Sequence, residues 1–426
     1  MWAAAATLQL ALLSQAGDAS ATHAVKRLWD GVPWGFYTNY PDLADPNITN
    51  FMLTDAMATE AGRQNVEEQL RGMAASNATL WRIFPQFQDV LSGPSTVNTS
   101  GIAVLTQALD MAQKFGIKVT VTGLSDFVPA RNPDWLNKLG QAEDSEAQIS
   151  AASALWWGTL ASAWKGHPGV WSFDLMNEPV WQSGPRLPTP GSNKWATGCM
   201  GAVNDSKCFD FLHNRHWQHT WTEWVHENFS GDEALRAAWP DFPMSTNDTW
   251  QHPQIPKPVG FMKRPAPEAA ARYANYSSHM TGMQRDWAVA LVKSIKTADS
   301  SRLVSVGELF PAGCRPYSDM LDFYSVHLYP PSSINTSNGL RTHFEQQMAE
   351  LPDDDKPVFV EEFFPLGLNP AISVVDYLSL FTEVVSPRAR AFTTYFCPTT
   401  GMLKEYCEDW LALVAKYASK NSTVSD

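Results

Sequence analysis

The chain has 426 residues, 44% of them hydrophobic and 18% charged, with 44 acidic against 31 basic side chains and a formal net charge of −13. An apolar share of that size excludes a wholly disordered or fibrous chain, and the lack of any 18-residue apolar run excludes a polytopic membrane protein. The acidic balance argues against nucleic acid and anionic membrane as partners.

The amino terminus comes first. Trp2 to Leu13 is apolar apart from Thr7 and Gln9, and Ala19-Ser20-Ala21 offers a small-x-small cleavage site. Residues 1–22 therefore read as a signal peptide, and the protein as secreted or held in the lumen of the secretory pathway. Nine Asn-x-Ser/Thr sequons support a glycoprotein: Asn47, Asn77, Asn98, Asn204, Asn228, Asn247, Asn275, Asn335 and Asn421. Of five cysteines, Cys199 and Cys208 could close one disulfide loop and Cys397 and Cys407 another, leaving Cys314 as a free thiol. No CxxC pair occurs, so a zinc or redox site has little support, and no metal or cofactor is expected.

Short apolar runs then alternate with longer helical patterns, the signature of a parallel α/β fold. Gly35–Tyr37 reads as the first strand. A helix over Glu60–Ala75 leads to the second strand at Leu80–Phe84. A helix over Ala103–Phe115 leads to the third at Ile117–Leu124, and one over Ala147–Trp164 to the fourth at Val170–Met176. A helix over Ala269–Thr297 precedes the fifth strand at Leu303–Gly307, and the sixth follows at Phe323–Leu328. Helices near Leu340–Leu351 and Ile372–Val385 precede the seventh and eighth strands at Pro357–Glu361 and Ala391–Phe396. A last helix spans Lys404–Ala418.

Eight strands interleaved with helices predict a closed (β/α)8 barrel over residues 23–420, with a short tail at 421–426. A long insertion, residues 180–268, follows the fourth strand and carries helices near Phe209–Asn228 and Asp232–Trp239. Loops at the carboxyl ends of barrel strands build active sites, so this insertion should shape a cleft. Eighteen Trp residues are either a large aromatic core or faces on which sugar rings stack; composition alone favours the core.

The chemistry-bearing motifs lie at strand ends. An apolar strand runs into Asn177-Glu178-Pro179, and Pro179 ends it. Far along the chain, Val358-Phe359-Val360-Glu361-Glu362-Phe363-Phe364 brings a second acid to a strand end. A barrel gathers such ends on one rim. Cleavage of a glycosidic bond with retention needs two carboxyls about 5–5.5 Å apart, one protonated and one ionised.

On these motifs the chain resembles the cellulase-like clan of retaining glycoside hydrolases, the barrel clan that includes family 5. The resemblance implies Glu178 as general acid/base and Glu362 as nucleophile. Glu361 competes for the second role, and alternation along a strand leaves one of the two facing the rim. It further implies that Arg82, in Leu80-Trp81-Arg82-Ile83-Phe84, hydrogen-bonds near the nucleophile and keeps it ionised. Tyr329 of the His-x-Tyr motif would hold the nucleophile, His327 would line the sugar site, and Asn177 would donate to the sugar 2-hydroxyl. The clan's Gly after the aromatic of the seventh strand is Phe364 here, and its eighth-strand Trp is absent, so Tyr395, Phe396 or a residue from elsewhere would serve as the sugar platform.

The insertion segment Trp221–Trp239 is similar to one found in family 42 β-galactosidases. Trp181 and Trp195, with Trp217 and Trp250, would border the substrate, about half of these aromatics being core. Glu308, at the end of the fifth strand, could reach the cleft and hydrogen-bond the substrate but reads first as a capping or surface residue, and Asp126 after the third strand has the same two readings. The expected function is hydrolysis of a β-linked poly- or oligosaccharide, cellulase- or mannanase-like, by a monomer with a carbohydrate as its partner. An exo-acting β-galactosidase or β-glucosidase and a catalytically inactive carbohydrate-binding barrel are the alternatives.

Overall fold

The computed structural model describes residues 33–37, 53–124, 135, 145–179, 215–256, 265–365, 368–385 and 387–395. Eight parallel strands close on themselves: β1 Trp34–Tyr37, β2 Leu80–Ile83, β3 Lys118–Thr122, β4 Val170–Asn177, β5 Leu303–Glu308, β6 Tyr324–Leu328, β7 Val358–Phe363 and β8 Ala389–Tyr395. Each pairs with its neighbour in the chain, and β1 closes the ring through Trp34–Phe392 and Gly35–Leu80 registers. The fold is the (β/α)8 barrel that the alternation predicts, and all eight strands fall where the apolar runs place them, with ends shifted by one or two residues.

The helices are α1 Leu53–Ala58, α2 Glu60–Ala75, α3 Thr99–Lys114, α4 Ser145–Ala163, α5 Arg215–Asn228, α6 Asp232–Ala238, α7 Ala270–Ala298, α8 Ser337–Ala349 and α9 Val374–Val384. Local chemistry sets their starts. Thr59, Asn98, Thr336 and Ser373 each accept a hydrogen bond from a first-turn backbone N–H, a cap whose loss costs about 1 kcal/mol. Two features escape periodicity because they are too short to show one. A one-turn helix and a hairpin, residues 87–97, follow β2, and a 3-10 segment with an internal proline, Pro311–Tyr317, joins β5 to β6.

Strand alternation divides the barrel into two environments. One set of strand side chains, including Trp81, Val119, Val121, Phe173, Val304, Val306, Val326, Val360 and Phe392, packs outward in the main apolar cluster with the helices. Each such side chain contributes on the order of 1.5–3 kcal/mol by leaving water. The other set points inward. At the amino-terminal end Leu80, Phe323, Phe359 and Ala391 form an apolar plug. Above it the lining becomes polar: Thr120, Ser172, Ser305, Ser325 and Thr393 are all fully buried. Above those come Arg82, Thr122, Asp174, His327 and Glu361. The barrel interior thus grades from apolar at the floor to ionic at the carboxyl-terminal mouth.

Most of the Trp side chains that can be placed are core. Trp34, Trp81, Trp156, Trp157, Trp164, Trp221 and Trp239 are all at most 3% exposed. Between β4 and α7, helices α5 and α6 build a second apolar cluster with α7. There Trp221 stacks on Trp224 and Trp239, while Arg272 lies over the Trp239 ring and pairs with Asp248. Leu235 is buried and Trp224 and Trp250 are partly so. Residues 1–22, 180–214 and 396–426 lie outside the described residues, and with them the cleavage site, Trp181, Trp195, Phe396, the last helix, the tail and four of the five cysteines. Asp126 lies outside them too. Cys314 is buried and unbridged. No described helix is long and apolar enough to cross a membrane.

Candidate active site

Six residues singled out by sequence converge at the barrel mouth: Arg82, Asn177, Glu178, His327, Tyr329 and Glu362. Tyr395 ends β8, but its side chain lies outside the described residues, as does that of Trp217. The convergence starts from Arg82, which β2 aims inward and whose side chain is wholly buried. Its Nη1 bonds Glu362 Oε1. Its Nη2 lies 2.9 Å from both Asp174 Oδ2 and Asn177 Oδ1, and its Nε 2.8 Å from Thr122 Oγ1 and 2.9 Å from Glu361 Oε1. Phe84 packs under the guanidinium at 4.5 Å. Burial disfavours a charged Arg, but Glu361, Glu362 and Asp174 outweigh it and hold the cation firmly protonated.

Two departures from regular strand geometry make this possible. Along β7 the partners run Val326–Val360 and then His327–Glu362, so Glu361 is an extra residue, a bulge. A bulge resets alternation. Glu361 and Glu362 therefore both turn toward the barrel interior, Glu361 deep and Glu362 at the rim, where alternation allowed one of them. In β4 the pairing slips between Asp174–Ser305 and Asn177–Gly307. Asp174, Asn177 and Glu178 are thereby all turned to the same space. Glu178 has φ 48°, the left-handed region, which costs a non-glycine residue about 1–3 kcal/mol. Its N–H donates to Gly307 O at 2.6 Å and its carboxylate meets His327, which together hold the strained turn.

Glu362 and Glu178 receive different partners. Glu362 sits between Arg82 on Oε1 and Tyr329, whose hydroxyl donates to Oε2 at 2.5 Å. Tyr329 in turn lies 2.8 Å from the Tyr37 hydroxyl on β1. Burial, with the Glu362 charge, pushes the Tyr329 phenol well above its ordinary range, so it remains a donor. Among the described residues no arginine pairs with Glu178; its Oε1 lies 2.7 Å from His327 Nδ1. Its side chain is 24% exposed against 10% for Glu362. One carboxylate is thus clamped by donors and a fixed cation, and the other opens to the cleft beside an imidazole.

Below them Asp174 accepts from Thr122 Oγ1 at 2.8 Å and from the Gly307 N–H at 2.5 Å. Burial and the facing Glu361 push the Asp174 carboxyl up, whereas Arg82 and His327 overcome burial to hold Glu361 below the usual carboxylate range. Gly307 must be glycine here, because a Cβ would come within 2.6 Å of Glu361 Oε2 and 2.8 Å of Asp174 Oδ2. Glu308 is neither capping nor at the surface. It is buried beside Gly313 and Gln284, and burial raises its carboxyl well above the usual range.

Asp174, Thr122 and Tyr37 went unseen in the sequence. An acid in the middle of Trp171-Ser172-Phe173-Asp174-Leu175-Met176 is the one signal that was available, since an unpaired charge does not persist in a buried strand. Among the described residues, Glu178, His327 and Glu362 also place one oxygen or nitrogen each within 4.8 Å of one another. The 2.7 Å contact between Nδ1 and Glu178 is that of an N–H···O bond, shorter than the roughly 3.3 Å edge of a tetrahedral zinc site with 2.0 Å ligands. Glu178 and His327 are hydrogen-bonded, and Glu362 Oε2 lies 3.5 Å from the same Nδ1.

No family model matches the chain, and no curated protein matches it. In three dimensions it is similar to solved structures. A GH5_18 protein from Streptomyces cattleya, in complex with GlcNAc, aligns with TM-score 0.53 and 13% identity over 92% of this chain and 81% of that one. A GH5_18 protein from Bifidobacterium longum subsp. longum aligns with TM-score 0.51 and 15% identity over 91% and 80%. A β-galactosidase from the psychrophilic Marinomonas ef1 aligns with TM-score 0.56 and 13% identity over 90% of this chain and 59% of that one. These likenesses establish a shared (β/α)8 barrel.

Proposed function

We propose that this protein is a retaining glycoside hydrolase that cleaves β-linked poly- or oligosaccharides. The observation that carries the proposal is the approach of two acids from distant strands, Glu178 and Glu362, to within 4.8 Å, oxygen to oxygen, at one barrel mouth. Retention requires carboxyls about 5–5.5 Å apart, whereas inversion needs roughly 6.5–9.5 Å to admit a water. The shared fold with family 5 glycoside hydrolases supports the same reading.

The unequal surroundings assign the roles. Glu362, fixed by Arg82 and Tyr329, attacks the anomeric carbon as Glu178 gives its proton to the departing oxygen. A glycosyl ester on Glu362 results. Glu178, now ionised, takes a proton from water, whose oxygen attacks the same carbon and releases Glu362. Asn177 accepts from Arg82 through Oδ1, so its NH2 end is the donor left for the sugar 2-hydroxyl, a bond that strengthens in the transition state. The presence of both acids with their partners argues against an inactive binding barrel.

Labelling tests this directly. An activated 2-deoxy-2-fluoro β-glycoside series (gluco, manno and galacto) is expected to add one fluoroglycosyl mass, mapped by peptide sequencing to Glu362. A label on Glu361, or none from any sugar, would overturn the assignment. Soluble β-glucans and β-mannans assayed beside aryl glycosides separate endo from exo action, the β-galactosidase or β-glucosidase alternative included.

We propose a secretory route, which the apolar stretch of residues 2–13, the small-x-small site at 19–21 and the sequons support. We propose that glycans occupy Asn77, Asn247 and Asn335, which are exposed. Asn98 caps α3 through Oδ1 while its Nδ2 donates to Gln88 O, and Asn275 accepts from Trp239 Nε1; both are partly buried. Glycopeptide mass spectrometry of protein secreted by a eukaryotic host should find the first three modified and Asn98 and Asn275 bare. Modification of Asn275 would contradict the local packing.

A further inference from the structure

His327 has carboxylates at both ring nitrogens. Nδ1 lies 2.7 Å from Glu178 Oε1 and 3.5 Å from Glu362 Oε2, and Nε2 lies 3.6 Å from Glu361 Oε2, at ion-pair range. The ring is fully buried. A neutral imidazole has one N–H and one bare lone pair. With Glu178 ionised, the lone pair would have to point at a carboxylate, whichever nitrogen carried it. The doubly protonated ring suits both ends. Glu361 reaches this position through the β7 bulge and is held there by Ser325 Oγ at 2.6 Å and Arg82 Nε at 2.9 Å.

We infer that Glu361 is a positioning residue that keeps the His327 ring doubly protonated, so that its Nδ1–H stays committed to Glu178. The charge state stands by itself; its catalytic meaning rests on the glycosidase reading. Glu178 must alternate between acid and base. A ring that does not release its own proton orients that carboxyl through both half-reactions without acting as a competing acid.

The groups facing the ring support this. Glu178 comes from the turn just past β4, and Glu361 and Glu362 from β7. Glu308 comes from β5, its buried carboxyl held toward the neutral form. Arg82 and Asp174 lie behind, joined to Glu361 through the guanidinium. Tyr329, one residue past the ring's own strand, donates to Glu362. Burial opposes a charged ring, but Glu362, Glu178 and Glu361 outweigh it and raise His327 to about 10.

Nitrogen-15 NMR of histidine-labelled protein reads the charge. The His327 signals are identified by their loss in His327→Gln. In the wild type both ring nitrogens should remain in the protonated range at pH 8, where an ordinary histidine, titrating near ~6.5, is neutral. In Glu361→Gln the transition should fall by about one pH unit or more, since that variant keeps the shape and removes one charge. A bare ring nitrogen in the wild type at pH 8 overturns the inference. So does a folded Glu361→Gln, checked by circular dichroism, whose His327 titration is unmoved. Should that variant not fold, the wild-type titration decides. Turnover plays no part in this readout. A charged ring in a protein that no fluoroglycoside labels would sink the glycosidase reading alone, and a neutral ring in a labelled protein would sink only this inference.

Discussion

Replacing Glu178 with alanine is expected to lower turnover of substrates with poor leaving groups by about 10²–10⁴-fold, the usual contribution of a positioned general acid. The fold should survive, because Glu178 stands at the cleft and its partner His327 keeps two other carboxylates. Aryl glycosides with good leaving groups need little protonation, so their first step should be nearly spared and the glycosyl-enzyme should accumulate. Azide needs no general base. Added to the variant, it should take the space of the lost carboxylate, attack the intermediate and yield a β-glycosyl azide, whose configuration also reports retention. Product analysis by NMR checks this. Full activity in the variant, or rate rescue with no azide adduct, would remove Glu178 from the acid/base role.

Arg82→Met should cause the largest loss of stability. Arg82 forms ion pairs with Glu361, Glu362 and Asp174, and neither Arg82, Glu361 nor Asp174 exposes any side-chain surface. Methionine preserves much of the volume and removes the cation. Breaking a buried ion pair from one side costs about 3–5 kcal/mol because the remaining charge is uncompensated. The pH dependence separates charge from packing. In the wild type Glu361 is held below its ordinary range, so it stabilises the fold above the unfolded carboxylate range and loses that contribution as pH falls through the folded value. Without Arg82, burial is opposed only by His327 and Ser325, so the Glu361 carboxyl rises and its ionised form destabilises the variant above that raised value. The deficit should therefore be greatest at pH 7–8 and shrink toward pH 5. Urea unfolding at both pH values measures it. An equal loss at each would assign the effect to shape alone. Glu362 would also lose its fixed partner, so labelling by fluoroglycosides should slow in parallel.

The two results bear on one design feature. The outward faces of these strands are ordinary: Val119, Val121, Val304, Val306 and Phe173 pack under helices. The inward faces trade apolar filling for an ionic layer that is tolerated because each charge meets an opposite one. Stability and the proposed chemistry draw on the same guanidinium.

What the chain determined by itself is what local physics encodes. Alternating apolar runs and amphipathic helices carry their own period, so the eight strands, their order and the barrel were legible residue by residue. Asn177-Glu178-Pro179 was legible too, because a proline after an apolar run marks a strand end. The tertiary structure alone decided the rest. The two bulges that turn Glu361 inward beside Glu362, and Asp174 beside Asn177, are properties of pairing between strands, and strict alternation within one strand forbids them. Asp174, Thr122 and Tyr37 joined the site because closure of the ring places Arg82 among β3, β4 and β7, and Tyr37 of β1 against Tyr329 just past β6. Charge compensation acts through space. No periodicity along the chain records which acid will meet which base.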